Sequence, residues 1–252
     1  EGEIEEFIRI SGNIQAASTV KVMPDVVGEV TVLNVRPGDY VQKDATLAKV
    51  DPSRPGVTYT LSPVTSPISG TVTNVVADIG ETVSSTVPIV EIGQLHKLEI
   101  QTFVSERYVN RVALGQRARI KLSALPGTTL QARVSELSPV VNESTRTMEV
   151  TLTFDSATAG VKAGMLAEVM LVIEKKPHVV LVPNESLFER QGAEYVFIVR
   201  QGNVHMQPVE SGIHSDGMVE ITSGVQAGEQ IVISGGTRLA EGTPVKVVNR
   251  EE

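Results

Sequence analysis

The sequence predicts a mainly β, elongated protein made of three β-domains in tandem, and three observations lead there. Near the N-terminus one 42-residue pattern occurs twice. From Leu98 to Glu174 apolar and polar residues alternate with period two, as half-buried strands do. Beyond Pro177, short β-rich runs are separated by closely spaced glycines.

The repeat comes first. Residues 23–50 read MPDVVGEVTVLNVRPGDYVQKDATLAKV, and residues 66–92 read SPISGTVTNVVADIGETVSSTVPIVEI. A shift of 42 lays Gly28 on Gly70, Val30 on Val72, Gly38 on Gly80, Val41 on Val83, Leu47 on Ile89 and Val50 on Ile92. In Arg36-Pro37-Gly38-Asp39, proline presets φ at the second position and glycine accepts positive φ at the third, which describes a type II turn. Asp78-Ile79-Gly80-Glu81 places Gly80 at the same turn position. Gly28 and Gly70 each follow a proline and open a valine-rich strand, where a bend or bulge is expected. Val30 and Val72 are therefore expected at pseudo-symmetric positions of two related halves, residues 15–57 and 58–94.

The middle of the chain carries the alternation. Ala118, Ile120 and Leu122 face one way, and Met148, Val150, Leu152 and Phe154 repeat the theme, as do Met165, Ala167 and Val169. Turns such as Pro126-Gly127 bound these strands, so residues 95–175 read as a small antiparallel β-barrel. One short helix is expected inside it, with Ser105 as N-cap, Tyr108, Val109 and Val112 on one face and Gly115 as terminator. Met148, Met165 and Met170 read as core filler. In the last part, Glu194–Arg200 and Val204–Glu210 flank the hairpin signal Gln201-Gly202-Asn203. Further strands are expected at Val219–Ile221, Gln230–Ile233 and Val245–Val248.

Composition narrows the function. A formal charge of −8 argues against a nucleic-acid partner, whose phosphates require clustered Lys and Arg. Aromatics reach only 4% and Trp is absent, so stacking platforms for bases or sugars are scarce. Without Cys there is no thiol chemistry, disulfide or Cys-ligated metal. No run of about eighteen apolar residues is present. His96, His178, His205 and His214 share no ligand spacing. In His214-Ser215-Asp216 adjacent residues cannot face one another as a triad must, and Asp216-Gly217 reads as a turn. Ser234-Gly235-Gly236-Thr237 lacks the lysine of a phosphate loop. Thr145-Arg146-Thr147 is read as fixing a barrel loop. The expectation is a protein that is not an enzyme, with no catalytic, metal or cofactor-binding residues.

The paired halves resemble the biotinyl/lipoyl fold, a flattened sandwich of two interlocked halves. In carrier domains of that fold a lysine in the joining hairpin bears the prosthetic group. Here Asp51 to Ser62 (DPSRPGVTYTLS) contains no Lys, and Lys49 lies before it. Haemolysin-D-like adaptors replace the hairpin by a long coiled coil. Twelve residues that include Pro52, Pro55 and Gly56 are too few for the three or four heptads such an arm needs. No coiled-coil hairpin is expected, and since the link lacks a Gly/Ser graft it reads as natural.

The runs VSERYVNRVALGQRARIKLSALPG, VSELSPVVNESTRTMEVTLTF and VKAGMLAEVML resemble the barrel domain of resistance-nodulation-division (RND) efflux adaptors, also called membrane fusion proteins. VVLVPNESLFERQGAEYVFIVRQGNVHMQPVESG and GVQAGEQIVISGG resemble their membrane-proximal domain, here residues 1–14 plus 176–252. The resemblance implies a periplasmic adaptor between an inner-membrane RND pump and an outer-membrane channel, exporting drugs or other small molecules. It also implies a homo-oligomer, a trimer or hexamer in the complex, tethered to the inner membrane by an N-terminal lipid or helix outside this chain. Adaptors of ATP-binding-cassette exporters share the scaffold, and a biotin or lipoyl carrier subunit is a distant alternative. Arg54 and Tyr59, in the shortened link, are the residues expected to face the channel.

Overall fold

The structure is a computed structural model that describes residues 1–53, 59–156, 159–233 and 239–246. The chain forms two compact units. One comprises residues 10–109 and 113–169, the other residues 1–9, 110–112 and 170–252. The first strand, β1 (Gly2–Ala16), passes from the second unit into the first.

The larger unit begins with eight short strands: β2 (Thr19–Val22), β3 (Gly28–Leu33), β4 (Tyr40–Val41), β5 (Thr46–Asp51), β6 (Ser62–Thr65), β7 (Gly70–Val75), β8 (Thr82–Val83) and β9 (Val90–Gly93). They form two four-stranded sheets, β2-β9-β7-β4 and β6-β5-β3-β8. A 42-residue shift converts one sheet into the other. Each sheet is completed by a two-residue strand from the opposite half: β4 pairs with β7 and β8 with β3. The register follows suit, Gly28 lying opposite Val83 and Gly70 opposite Val41.

The residues matched in the repeat are what the two sheets bury between them. Val30, Leu47, Val50, Val72, Ile89 and Ile92 belong to one buried cluster. Each fully buried aliphatic side chain of this kind contributes about 1.5–3 kcal/mol relative to exposure. β-Branched residues dominate because they suit a pleated, half-covered surface.

The same unit continues with β10 (Leu98–Ser105), β11 (Arg117–Leu122), β12 (Thr129–Asn142), β13 (Thr147–Phe154) and β14 (Leu166–Pro183). The order β1-β10-β13-β12-β11-β14, with a further β1–β14 pairing, closes a β-barrel. The alternation read from the sequence points inward: Ala118, Ile120, Leu122, Met148, Val150, Leu152, Ala167 and Val169 are all buried. Met170 is buried too, while Met165 is only half-buried, its sulfur facing the Lys162 N–H at 3.4 Å.

The expected helix differs in kind. Residues Glu106–Arg111 form a 3₁₀ turn with no buried residue of its own. Gly115, which would close a longer helix, donates its N–H to the Val134 carbonyl of β12 at 2.8 Å. That bond to the barrel wall takes the place of a helical one.

In the other unit β14 ends beside β15 (Phe188–Arg190), β16 (Ala193–Arg200), β17 (Asn203–Ser215) and β18 (Met218–Ser223), in the order β14-β18-β17-β16-β15. Three two-residue hairpins join the last four strands. Gln191-Gly192, Gln201-Gly202 and Asp216-Gly217 all have positive φ at both positions, the type I′ geometry that matches strand twist. Asn203, expected within its turn, already pairs with Arg200. One face of this sheet buries Val182, Val196, Ile198, Val209, Val219 and Ile221. Where strands are expected at 230–233 and 245–248, the described residues form the bridges Ile198–Ile231 and Asn203–Pro244, and residues 247 and 248 lie outside the described residues. Pro244 has no N–H with which to extend a ladder. No described helix is long and apolar enough to cross a membrane, and no helical hairpin occurs among the described residues.

Candidate interaction site

The link between β5 and β6 starts from a tight local device. Asp51 Oδ1 accepts the Ser53 N–H at 2.9 Å, and Ser53 Oγ accepts the Tyr59 N–H at 3.0 Å. This turn draws the two arms of the link together. Hydrogen bonds from Ser53, first its side chain and then its backbone, hold the Asp51 carboxyl below its ordinary range. Tyr59 is 60% exposed and Leu61 is exposed beside it. Arg54, the other residue singled out here, lies outside the described residues.

Gly38 and Gly80 have φ of +99° and +92°. The turns close by hydrogen bonds from Asp39 N–H to the Arg36 carbonyl (3.1 Å) and from Glu81 N–H to the Asp78 carbonyl (3.2 Å). In both, the fourth residue's carboxylate also accepts the first residue's N–H, Arg36 to Asp39 at 2.8 Å and Asp78 to Glu81 at 3.1 Å.

Gly28 and Gly70 serve differently: neither has positive φ, and both are first residues of strands. What they supply is room. A β-carbon on Gly28 would collide with the Asp51 carbonyl, and one on Gly70 would lie 2.9 Å from the Gly93 carbonyl oxygen. The bulges come three residues later, at Thr31 and Thr73, where the register slips. Each threonine hydroxyl donates to a neighbouring carbonyl, Lys49 or Glu91, at 3.2 Å.

On the barrel, Thr145-Arg146-Thr147 belongs to a loop organised by Asn142. Its Oδ1 accepts from the Ser144 N–H (3.0 Å), the Ser144 hydroxyl (2.7 Å) and the Thr145 N–H (3.2 Å). Arg146, at φ +53°, donates its N–H to the Asn142 carbonyl and accepts the Glu106 N–H on its own. Its guanidinium lies 3.6 Å from the Glu106 carboxylate. Beside this loop, exposed Phe103 and Val140 line an open cavity of about 610 Å³.

The other unit holds features that sequence spacing did not show. Arg111 grips Glu6 with both terminal nitrogens and reaches Glu174 at 2.7 Å. Glu220 is buried beside a bulge of β17, accepting the Ile213 N–H at 2.9 Å and Lys176 Nζ at 3.0 Å. Burial pushes its carboxyl up, but Ile213 and Lys176 together outweigh this and the net direction is down. Lys176 and Glu220 are 44 residues apart in sequence, and the pairing of β14 with β18 brings them together. Phe188, Tyr195 and Phe197 stack with centroid distances of 6.0 and 4.8 Å.

The histidines are dispersed. His205 pairs with Glu241 at 2.8 Å, and His214 faces Ser211 rather than Ser215. Among the described residues no three His, Asp or Glu side chains come together as metal ligands would. Ser234 to Thr237 lie outside the described residues.

Comparison with known proteins gives matches in three successive stretches. Residues 18–92 match the barrel-sandwich hybrid domain of RND membrane fusion proteins. Residues 99–175 match the CusB-like β-barrel domain, and residues 179–247 match the C-terminal permuted SH3-like domain of YknX. The nickel-cobalt-cadmium resistance protein NccB of Alcaligenes xylosoxydans xylosoxydans is 28% identical over 67% of this chain and 42% of its own length. The multidrug resistance protein MdtA of Klebsiella pneumoniae is 28% identical over 73% of this chain and 47% of its own. The chain thus spans about half the length of the curated relatives it matches. MacA from Actinobacillus actinomycetemcomitans shares the fold, with a TM-score of 0.73, 20% identity, and coverage of 93% of this chain and 98% of that one.

Proposed function

Because this chain belongs to the membrane fusion proteins, the RND-type periplasmic adaptors of efflux systems, we propose that it bridges an inner-membrane pump and an outer-membrane channel in a tripartite export complex. The observation that carries this reading is the order of the three domain matches, which run through nearly the whole chain. In this reading the protein catalyses nothing. It works as a homo-oligomer, a trimer or hexamer, held at the periplasmic face of the inner membrane, where repeated weak contacts add up by avidity. The cargo is a drug or another small molecule, a choice supported by the likeness to a multidrug resistance protein. Arg54 and Tyr59 are proposed to face the channel, since the β5–β6 link stands where longer adaptors carry their hairpin.

The test is deletion and complementation in the source cell, with affinity isolation of the full-length protein from membranes. An RND pump retained with it, and drug efflux lost on deletion and restored by the gene, is the expected result. Retention of an ATP-binding-cassette transporter instead would replace the pump assignment. Unchanged efflux after deletion would remove the adaptor reading.

A further inference from the structure

The two halves of the N-terminal domain share one backbone plan, so positions related by the 42-residue shift differ only in what their side chains are for. Three connections share the end from which the β5–β6 link starts: residues 23–27, 76–81 and 84–89. The shift maps them onto the opposite end, where the chain leaves for β1 and β10, at residues 65–69, 34–39 and 42–47.

The two ends are chemically unlike at the positions the shift matches, while the opposite end exposes Tyr40 and Leu95 elsewhere. At the link end Met23, Val27, Val76, Ile79 and Val87 are all exposed, Ile79 at 64% and Val27 at 54%. Their counterparts are Thr65, Ser69, Asn34, Pro37 and Ala45. Since these smaller or more polar residues support the same turns, the large apolar side chains are not required by the fold. Tyr59 and Leu61 add to it. Charge is divided as well. The link-end connections carry Asp25, Asp78 and Glu81 and no basic residue, Arg54 belonging to the neighbouring link. The opposite connections carry Arg36 and Lys43 against Asp39 and Asp44. An apolar surface rimmed by one sign of charge is a docking surface, with the rim setting partner choice.

We infer that these three connections, not the link alone, form a docking face for a protein surface that presents apolar residues among Lys or Arg. The carboxylate rim repels an anionic lipid surface and the same end of a second copy. This rests on the adaptor reading, which supplies the occupant: the periplasmic end of an outer-membrane channel. The face extends the contact beyond Arg54 and Tyr59 to the connections 23–27, 76–81 and 84–89.

The symmetry supplies the variants. In full-length protein in its own cells, a photo-crosslinking residue replaces Ile79, or Pro37 as the control. Expected is a product with an outer-membrane channel protein from position 79 and none from position 37. Grafting the opposite end's residues, Val27→Ser with Val76→Asn and Val87→Ala, uses side chains that the same backbone already carries. The graft is expected to lower crosslink yield from position 79 about tenfold with an unchanged unfolding midpoint. Asp25→Lys with Asp78→Arg should lower it similarly, and more at low salt than at high. A product that is a second copy of this chain overturns the proposal, as does equal yield from both positions or a yield indifferent to both variant sets. Those outcomes leave the adaptor function intact wherever efflux still depends on the gene and the pump still co-purifies. Efflux that does not depend on the gene removes the adaptor reading itself.

Discussion

Val30 and Val72 each give their backbone N–H to a turn of the opposite half. Val30 donates to the Glu81 carbonyl at 2.9 Å and Val72 to the Asp39 carbonyl at 2.8 Å. The reciprocal bonds run from Gly80 to Val30 and from Gly38 to Val72, each at 2.8 Å. Both bonds of this clasp thus have their image 42 residues away, and each positive-φ turn is clasped by the strand that it crosses.

That clasp makes Gly38 and Gly80 separable from Gly28 and Gly70 by experiment. Nothing lies within 4 Å of a β-carbon at Gly38, so Gly38→Val meets backbone strain alone. The expected cost is about 1–3 kcal/mol. Gly38→Asn, which tolerates positive φ, should recover most of it. Gly28→Ala is expected to resist such rescue, because its nearest neighbour is the backbone carbonyl of Asp51. Urea unfolding followed through amide exchange of residues 28–33 and 70–75 checks both, and rescue of Gly28 by Asn would contradict this account.

Acid should act on the unit containing Glu220. Its folded pKa lies below the ordinary 4.5, so its stabilising contribution is present above that value and is lost as pH falls through the folded pKa. Lys176 shifts upward from 10.5, chiefly through its bond to Glu220, so its contribution is lost as pH rises through that raised value. Lys176→Met removes the cation and lets burial dominate. The acid transition should then begin at higher pH, read from the Glu220 carboxyl resonance and a pH series of melting curves. An unmoved transition would show that the Ile213 N–H alone sets this carboxylate. Glu220→Ala, which strands that buried N–H, should cost about 1–3 kcal/mol.

Asn142→Ala should loosen a loop without unfolding the barrel. Three hydrogen bonds to one oxygen disappear, all of them solvent-exposed, so the expected cost is about 0.5–1.5 kcal/mol. Faster amide exchange at 143–147, with β10 and β13 unchanged, is the expected signature. Exchange that rises equally across the barrel would mean that the loop closes the barrel itself.

Gln191 and Gln201 hold positive φ at first positions of type I′ hairpins, where Asn is favoured. Changing both to Asn should relieve part of the roughly 1–2 kcal/mol that left-handed backbone costs an ordinary L-residue and so raise the stability of this unit. A lowered melting temperature would count against the turn assignment.

The 42-residue repeat was legible because glycine and β-branched residues recur at positions where backbone geometry leaves few alternatives. Pro37-Gly38 announces its turn, and the alternation of Ala118 to Leu122 announces its face. The strand exchange was not legible. β4 and β8 are two residues each, too short to show any period, and their partners are set by which turn each strand crosses. Gly28 and Gly70 looked like bends, yet what they provide is clearance for a neighbouring backbone, which sequence does not display. The 105–115 segment carried helix signals, but the pull of Val134 on the Gly115 amide is a long-range fact. The asymmetry between the two ends was present in the letters all along. It became meaningful once each residue had a structural twin to be measured against.

The exchange of β4 and β8 also bears on how such a gene can change over time. Because the halves are stapled through each other by β4 and β8, the strand exchange is made by residues outside the stretch between Asp51 and Ser62. Lengthening a flexible closure costs only about 0.6 kcal/mol per doubling, so growth to eight times its size adds roughly 2 kcal/mol. This stretch is therefore an evolutionary insertion port: a lineage could acquire or shed an arm there while the remainder of the domain stays under unaltered selection.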